Sequence, residues 1–272
     1  MHSESEEESD FYDENDTKNL PQFAFEILPS LSVQITQQNN TQNHGTTVWD
    51  SAKVLAHYLV DTIKPPTWSL EDGRMQVQNT KTCIELGSGC GLGGLTMAAL
   101  GLDTVVTDLP SVVESVLQPN ADNNRDAIKD WWHKRIEQSN YQHTRVPMDE
   151  PKLRVEPLDW VRFCSGLDGN EADKDYCDWV RPPYNYILAA DCIYCLELVP
   201  TLLRCCQYLA SHTTTILVAL EHRDDIVVNN FVSTAKAMGF DTRAVPKRML
   251  NAKVVGHEDI EIWKLKKKRT IK

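Results

Sequence analysis

Apolar runs alternate with segments of helical periodicity along most of the chain. Apolar and polar residues alternate on both sides of Pro29, which predicts a β-hairpin within residues 23–35. From residue 51 the apolar positions recur at helical spacing up to Pro65 and Pro66, which end the predicted helix. Buried strands are predicted at residues 83–86, 104–107, 153–158, 184–190 and 213–220. Strands that alternate with helical segments are typical of an α/β domain with a mostly parallel sheet.

The rest of the pattern adds helices, a final pair of strands and two irregular segments. Helices are predicted at residues 92–100, 112–118, 196–209 and 226–238. Residues 240–245 and 260–265 predict an antiparallel pair that closes the sheet. We interpret residues 131–150, which show no clear period, and residues 164–179 as insertions.

Three glycines follow the strand predicted at residues 83–86, namely Gly87, Gly89 and Gly91. They remove side chains from the turn, so a ligand can approach the backbone N–H groups closely. The next strand leads to Asp108, whose carboxylate can accept both hydroxyls of a ribose. The ligand is therefore predicted to contain a nucleoside.

The glycine spacing alone leaves two cofactors open. Gly89, Gly91 and Gly94 fit the Gly-x-Gly-x-x-Gly pattern of a dinucleotide site, in which a helix N-terminus binds a pyrophosphate. Glu85 opposes that interpretation, because its carboxylate would repel a pyrophosphate but can anchor the ammonium of a methionine group. We therefore favour S-adenosylmethionine over a nicotinamide dinucleotide, and both over a purely structural turn.

The predicted strands end in residues that carry chemistry. These residues are Glu85, Asp108, Trp160, Asp191 and Glu221. Open α/β sheets bind ligands at the carboxyl ends of their strands, so we expect one site there. For Glu221, a simple ion pair with Arg223 and a role at the site are both open.

Length, charge and cysteine content limit the class of protein. The chain has 272 residues and a formal net charge of −11, and we divide it into a disordered acidic tail at residues 1–20 and one domain at residues 21–272. The acidic balance disfavours nucleic acid and favours a basic protein segment as partner. We expect a monomer.

Cysteine usage and hydropathy indicate the compartment. The eight cysteines do not form the two CxxC pairs typical of a zinc site, so no metal is predicted. With no signal peptide and no long apolar span, we expect reduced thiols, no membrane partner, and a cytoplasmic location with the nucleus as a second one. Cys90, in the glycine loop, is interpreted as a packed thiol rather than a reactive one.

Five segments carry a recognisable combination of residues. They are Val48-Trp49-Asp50, Glu85-Leu86-Gly87-Ser88-Gly89-Cys90-Gly91, Val106-Thr107-Asp108-Leu109, Leu158-Asp159-Trp160 and Ala190-Asp191-Cys192-Ile193-Tyr194. Together they resemble the seven-β-strand S-adenosylmethionine-dependent methyltransferases, and within them the methyltransferase-like 21 group, lysine methyltransferase family 16. The resemblance implies an α/β, Rossmann-like seven-stranded sheet, mostly parallel with a closing antiparallel pair, flanked by helices and preceded by a β-hairpin.

The resemblance also implies a role for each residue at the site. Asp191 and Tyr194 would be the catalytic residues, facing the methyl group and the incoming lysine. The residues implied to hold S-adenosylmethionine are Trp49, Glu85, Gly87, Ser88, Gly89, Asp108, Trp160 and Ala190. Among these, Asp108 would bind the ribose, Trp160 would stack beside the adenine and Trp49 would cover the cofactor.

Structural interpretations of the same residues stay open. Trp49, Trp160 and Tyr194 could be packing residues, and Asp108 could cap a helix that begins near Pro110. Asp191 is harder to explain in that way, because a carboxylate that follows a buried strand needs a partner.

The expected function is that of an S-adenosylmethionine-dependent protein-lysine N-methyltransferase acting on a non-histone protein. A chaperone-like ATPase or elongation factor 1-alpha is the leading substrate. An arginine, histidine or small-molecule acceptor is an open alternative. So is a NAD-dependent oxidoreductase, which Glu85 disfavours, and a non-catalytic adaptor, which would be expected to have lost Gly87, Gly89 or Asp108.

Overall fold

The computed structural model describes residues 17–38, 44–71, 74–78, 80–137, 152–251, 254 and 258–269. The strands are β1 (Gln22–Leu28), β2 (Leu31–Thr36), β3 (Thr67–Glu71), β4 (Arg74–Gln78), β5 (Thr82–Leu86), β6 (Asp103–Asp108), β7 (Leu153–Pro157), β8 (Tyr184–Ala190), β9 (Ala210–Glu221), β10 (Phe240–Ala244) and β11 (Ile260–Lys267). The helices are α1 (Asp50–Thr62), α2 (Leu92–Ala99), α3 (Pro110–Val112), α4 (Gln118–Glu137), α5 (Trp160–Leu167), α6 (Leu198–Leu209) and α7 (Asp225–Ala237).

Seven strands form the central sheet in the order β10-β11-β9-β8-β5-β6-β7. The strands from β9 to β7 are parallel, whereas β11 is antiparallel to both of its neighbours. The strand order reverses between β5 and β8, which is the point where open α/β sheets bind ligands. The predicted fold class is confirmed, including the closing antiparallel pair and the hairpin of β1 and β2.

Helix α2 lies against the sheet at a distance that only glycine permits. A Cβ added to Gly94 would lie 2.0 Å from Cγ1 of Val106, and one added to Gly93 would lie 2.1 Å from Oε1 of Glu85. All eight residues of α2 are buried. The start of this helix is therefore fixed directly above β5 and β6, where it borders the predicted site.

Two asparagines attach the N-terminal hairpin to α4. The side chain of Asn120 accepts from the Thr36 N–H (2.8 Å) and donates to its carbonyl (2.8 Å), and Asn124 does the same at Gln34 (2.7 and 2.8 Å). Each side-chain amide thus pairs with the open edge of β2 as a neighbouring strand would. The sequence pattern did not predict this attachment.

The two predicted insertions contain helical residues that the pattern did not indicate. Residues 131–137 form the last turns of α4, and Trp132 is buried within them. The described charged residues of α4 are exposed or half-buried, and its apolar residues are too few to give a clear helical period. Residues 164–167 belong to α5, and turns follow them. Residues 138–150 lie outside the described part of the chain.

Three further details differ from the pattern-based view. Helix α4 continues through Pro119, because a π-helical turn at Val113–Leu117 precedes that proline. The β3–β4 pair was not predicted. The end of the predicted disordered tail is ordered, because the carbonyls of Thr17 and Leu20 accept from the side-chain amide of Gln37. Residues 1–16 lie outside the described part of the chain.

None of the helices in the described ranges combines the length and apolar character that a membrane span requires.

Candidate active site

A cavity of about 630 Å³ opens at the carboxyl edge of the sheet. Its walls come from the start of α1, the loop after β5 and the segments that follow β6, β7, β8 and β9. All ten residues predicted for the site line it: Trp49, Glu85, Gly87, Ser88, Gly89, Asp108, Trp160, Ala190, Asp191 and Tyr194. The structure therefore brings together residues that are 145 positions apart at the extremes, from Trp49 to Tyr194.

Two positions of the glycine loop, Gly87 and Gly89, leave no room for a side chain. Gly87 has φ +66°, and a Cβ there would lie 2.7 Å from Sγ of Cys192 and 3.1 Å from the Trp160 ring. Gly89 has φ +55°, and its Cβ would lie 2.9 Å from the carbonyl oxygen of Gly45. Positive φ and close neighbours together explain why these positions require glycine.

Ser88 fastens the loop to β6. Its N–H donates to the Thr107 carbonyl (2.8 Å), and its hydroxyl accepts from the Thr107 N–H (3.0 Å). The hydroxyl of Thr107 in turn donates to the Glu85 carbonyl (2.6 Å). These bonds fix the loop backbone beside the tip of β6, where Asp108 lies.

Asp108 is a buried carboxylate at the cavity wall. Its Oδ2 accepts from the Gly89 N–H (2.8 Å) and its Oδ1 from the Leu109 N–H (2.7 Å). Burial raises its pKa to about 6, although both backbone bonds oppose the rise. The helix-cap interpretation is wrong, because α3 begins after Leu109 without a side-chain cap. Asp108 keeps lone pairs for two further donors.

Glu85 lies beneath the first turn of α2. It is 2% exposed, and its Oε2 accepts from the Gly94 N–H (2.8 Å). Burial is the main cause that raises its pKa to about 7. Its carboxylate therefore supports the helix that borders the cavity; an additional contact with a cofactor ammonium stays a prediction.

Another part of the cavity wall is formed by side chains. Asp191 has φ +54°, and its Oδ2 lies 3.0 Å from Nη2 of Arg223. The same nitrogen lies 2.5 Å from Oε2 of Glu221, so the predicted ion pair of Glu221 is present. Burial raises the pKa of Asp191, and the Arg223 guanidinium opposes that rise.

Two aromatic rings complete this part of the cavity wall. The Arg223 guanidinium lies 4.9 Å from the ring centroid of Trp49, and Tyr194 is 51% exposed. A tyrosine that is half exposed is not a core packing residue, and Trp49 is only partly buried. Both rings line the cavity, and their contact with a substrate side chain stays a prediction.

Sequence reasoning did not include Arg223 in the site. Arg223 follows β9 by two positions and was considered only as a partner for Glu221. The spacing of Arg223, two positions after Glu221, could have indicated its place in the site. Residues two apart in an extended segment have their side chains on the same side. Cys90 is 2% exposed, and burial raises its pKa to about 12, as expected for a packed thiol.

The lining residues fit S-adenosylmethionine better than a dinucleotide. The glycine loop accepts close approach of a ligand, and Asp108 can accept from ribose hydroxyls. A pyrophosphate would meet two buried carboxylates, Glu85 and Asp108. Among the described residues that line the cavity, Arg223 is the one lysine or arginine, and Asp191 and Glu221 already engage it.

Comparison with known proteins agrees with this geometry. A family model described as "Lysine methyltransferase" matches residues 27–147 and 143–237. The match spans well over half of the chain and includes the glycine loop, Asp108 and Asp191. The chain therefore belongs to this lysine methyltransferase family.

Curated relatives are similar to the chain at modest identity. Protein-lysine N-methyltransferase rrg1 of Schizosaccharomyces pombe is 30% identical over 62% of this chain, which spans 44% of that protein. Mouse METTL21A is 26% identical, with 76% of this chain and 72% of the relative covered. EEF1A lysine methyltransferase 3 of Xenopus tropicalis is 25% identical, with 85% and 81% covered.

Solved structures confirm the fold. A ribosomal protein L11 methylase from Lactobacillus delbrueckii subsp. bulgaricus superposes with a TM-score of 0.51 at 8% identity, covering 90% of this chain and 99% of the other. Family, relatives and cavity together make the chain an S-adenosylmethionine-dependent protein-lysine methyltransferase. The predicted class, cofactor and protein substrate are confirmed.

Proposed function

We propose that this protein methylates a lysine of a folded non-histone protein, with elongation factor 1A as the leading substrate and a chaperone-like ATPase as the alternative. The observation that carries the proposal is that Asp191, Tyr194 and Trp49 line the same cavity as Gly87 and Asp108, and that the Arg223 guanidinium contacts both Asp191 and Trp49. A relative named EEF1A lysine methyltransferase 3 covers 85% of the chain, which favours the elongation factor.

We name Glu85, the loop from Gly87 to Gly89, Asp108 and Trp160 the cofactor end. Its task is to bind and orient S-adenosylmethionine. Asp108 would hold the ribose hydroxyls, Trp160 would lie beside the adenine, and the loop from Gly87 to Gly89 would bind the methionine part through its backbone. Glu85 would support the loop and attract the ammonium of that part. When bound, S-adenosylmethionine supplies a methyl group on a positively charged sulfur.

We name Trp49, Asp191 and Tyr194, with the neighbouring Glu221 and Arg223, the acceptor end. Its task is to admit a lysine and to favour loss of the lysine's proton. A free lysine has a pKa of about 10.4, so it must lose a proton before its nitrogen can attack. Asp191 would attract the ammonium and orient the amine, while Trp49 and Tyr194 would remove water around it and thereby favour the neutral form. Aligning nitrogen and methyl group supplies most of the rate gain, since the displacement needs little acid or base work.

An acidic chain suits a cationic target. The formal net charge of −11 attracts basic protein surfaces through long-range electrostatics. We further propose that the protein acts as a monomer in the cytoplasm, with the nucleus as a second location, in keeping with its free cysteines.

The test uses S-adenosylmethionine with a labelled methyl group. The full chain is incubated with a lysate from cells that lack it, with purified elongation factor 1A in parallel, and the modified residue is identified by mass spectrometry. Label on a lysine of elongation factor 1A, absent with Asp191→Asn, is the expected result. Label on a lysine of another protein would overturn the substrate, and label only on arginine, histidine or a metabolite would overturn the lysine acceptor.

A further inference from the structure

Arg223 connects three elements at the acceptor end of the cavity. Its Nη2 lies 3.0 Å from Oδ2 of Asp191, after β8, and 2.5 Å from Oε2 of Glu221, the last residue of β9. Its guanidinium also lies 4.9 Å from the ring centroid of Trp49, which precedes α1. One cation therefore contacts a proposed catalytic carboxylate, a second carboxylate and a wall of the proposed lysine channel.

The positive charge of Arg223 compensates the negative charges of Asp191 and Glu221. Asp191 and Glu221 would together stabilise a lysine in its ammonium form, because nearby negative charge raises the pKa of an amine. Methyl transfer needs the neutral amine, so two uncompensated carboxylates would bind the substrate in the wrong protonation state. A guanidinium stays protonated at any physiological pH and can compensate for them.

We propose that Arg223 is a positioning residue that sets the charge of the acceptor end, so that an incoming lysine is attracted by Asp191 yet still loses its proton to water. The proposal rests on the proposed function. It assigns Arg223 two tasks, which are to hold the Asp191 carboxylate in place and to limit the negative potential that the amine meets.

Other charged groups around Arg223 are engaged elsewhere. Asp108, which also lines the cavity, accepts from two backbone N–H groups. Lys18 lies 5.8 Å from the Trp49 ring centroid and pairs with Asp50 at 2.6 Å. The imidazole of His222 lies between Asp225 (2.6 Å) and Glu261 (2.8 Å) rather than facing Asp191. Within the described ranges, Arg223 is the side chain that forms an ion pair with Asp191.

The effect of Arg223 on the electrostatic potential in the cavity can be measured without any substrate protein. Sinefungin carries a primary amine where S-adenosylmethionine carries its methylated sulfur, whereas S-adenosylhomocysteine has neither group. The ratio of their two dissociation constants, from calorimetry at pH 7.5, therefore reports the potential at the transferred group. We expect Arg223→Met to raise the preference for sinefungin by about tenfold, since the positive charge that compensates Asp191 and Glu221 is lost.

Three matched variants show whether charge is the cause. Arg223→Lys should stay within about twofold of wild type, because it keeps the charge. The double variant Arg223→Met with Glu221→Gln should show a smaller gain in the preference for sinefungin than Arg223→Met alone. Arg204→Met, which breaks an ion pair with Asp168 away from the cavity, should leave the ratio unchanged. An unchanged ratio in Arg223→Met, or an equal gain in Arg204→Met, would overturn the proposal.

The outcome separates this inference from the proposed function. If wild type binds neither ligand, the proposed function fails and this inference fails with it. If wild type binds both ligands and Arg223→Met keeps the wild-type ratio, only the inference fails.

A kinetic measurement with the lysine substrate identified by labelling gives a second test. Arg223→Met should lower KM, lower kcat at pH 7 by about tenfold, and move the rise of kcat to higher pH by about one unit. A residue with a merely structural role would lower kcat equally at every pH, and that result would contradict the proposal.

Discussion

The two ends of the cavity are built in different ways. The proposed cofactor end consists largely of backbone, glycines and two buried carboxylates, Glu85 and Asp108, whose partners are backbone N–H groups. The proposed acceptor end consists of side chains from three elements, with Arg223 linking them. The geometry of the first end is part of the fold, whereas that of the second depends on contacts between side chains.

This difference implies a division of labour. A change at the cofactor end should alter cofactor affinity or the stability of the fold. A change at the acceptor end should alter turnover and leave cofactor affinity nearly unchanged, because the amine is aligned only on the way to the transition state.

The largest effect is expected for Asp191→Asn. Asparagine tolerates the positive φ of this position and keeps the size of the side chain, but it cannot attract an ammonium or take up a proton. Turnover should fall by about 100-fold or more, with cofactor affinity within about twofold of wild type. Asp168→Asn, in an exposed pair with Arg204, is the control and should keep full turnover. Wild-type turnover in Asp191→Asn would show that the acceptor end lies elsewhere.

Gly87→Ala should have the largest effect at the cofactor end. The added Cβ would force Cys192 or the Trp160 ring to move, in a backbone with φ +66°. We expect affinity for S-adenosylhomocysteine to fall by about 100-fold in calorimetry, which corresponds to about 2.7 kcal/mol. Gly239→Ala is the control, because its φ is +88° but nothing lies within 4 Å of its Cβ. Equal affinity losses in both variants would point to global strain instead.

Asp108→Asn should weaken cofactor binding to a smaller extent. The amide loses the charge that strengthens bonds from ribose hydroxyls, at about 1.5–3 kcal/mol. Asp103→Asn, at the opposite end of β6, is the matched control. Since the pKa of Asp108 is raised to about 6 by burial, cofactor affinity of wild type should also fall as the pH drops through 6. Affinity independent of pH between 5 and 8 would contradict the ribose role.

A separate prediction concerns stability without cofactor. The pKa of Glu85 is raised from 4.5 to about 7, so the folded state binds its proton more tightly than the unfolded chain. Its contribution to stability is therefore fully present below about pH 4.5 and is lost as the pH rises through 7. Urea unfolding should show a loss of up to about 3 kcal/mol between pH 5 and 8.

Glu85→Gln should flatten that pH dependence, because glutamine has no proton to lose. Glu156→Gln, on β7, is the control and should keep the wild-type slope. Asp108 acts in the same direction, so a shallow slope should remain in Glu85→Gln. An unchanged slope would show that the Glu85 carboxylate is not the group that titrates.

Sequence patterns predicted which residues line the cavity. Glycine spacing, strand ends and the acid at Asp108 are local features, and the structure places them around one cavity. The pattern did not predict that Asn120 would pair with the edge of β2, since such a contact joins residues 84 positions apart. Arg223 was missed as a site residue for the same reason, because its contacts with Asp191 and Trp49 exist only after three elements meet.

The most direct test of the division of labour compares Asp108→Asn with Asp191→Asn in the same preparations. Calorimetry gives the affinity for S-adenosylhomocysteine, and single-turnover assays at saturating S-adenosylmethionine give the rate on the labelled lysine substrate. We predict that Asp108→Asn loses affinity by about tenfold or more but keeps most of its rate at saturation, while Asp191→Asn keeps its affinity and loses its rate. Parallel losses of affinity and rate in both variants would contradict the account.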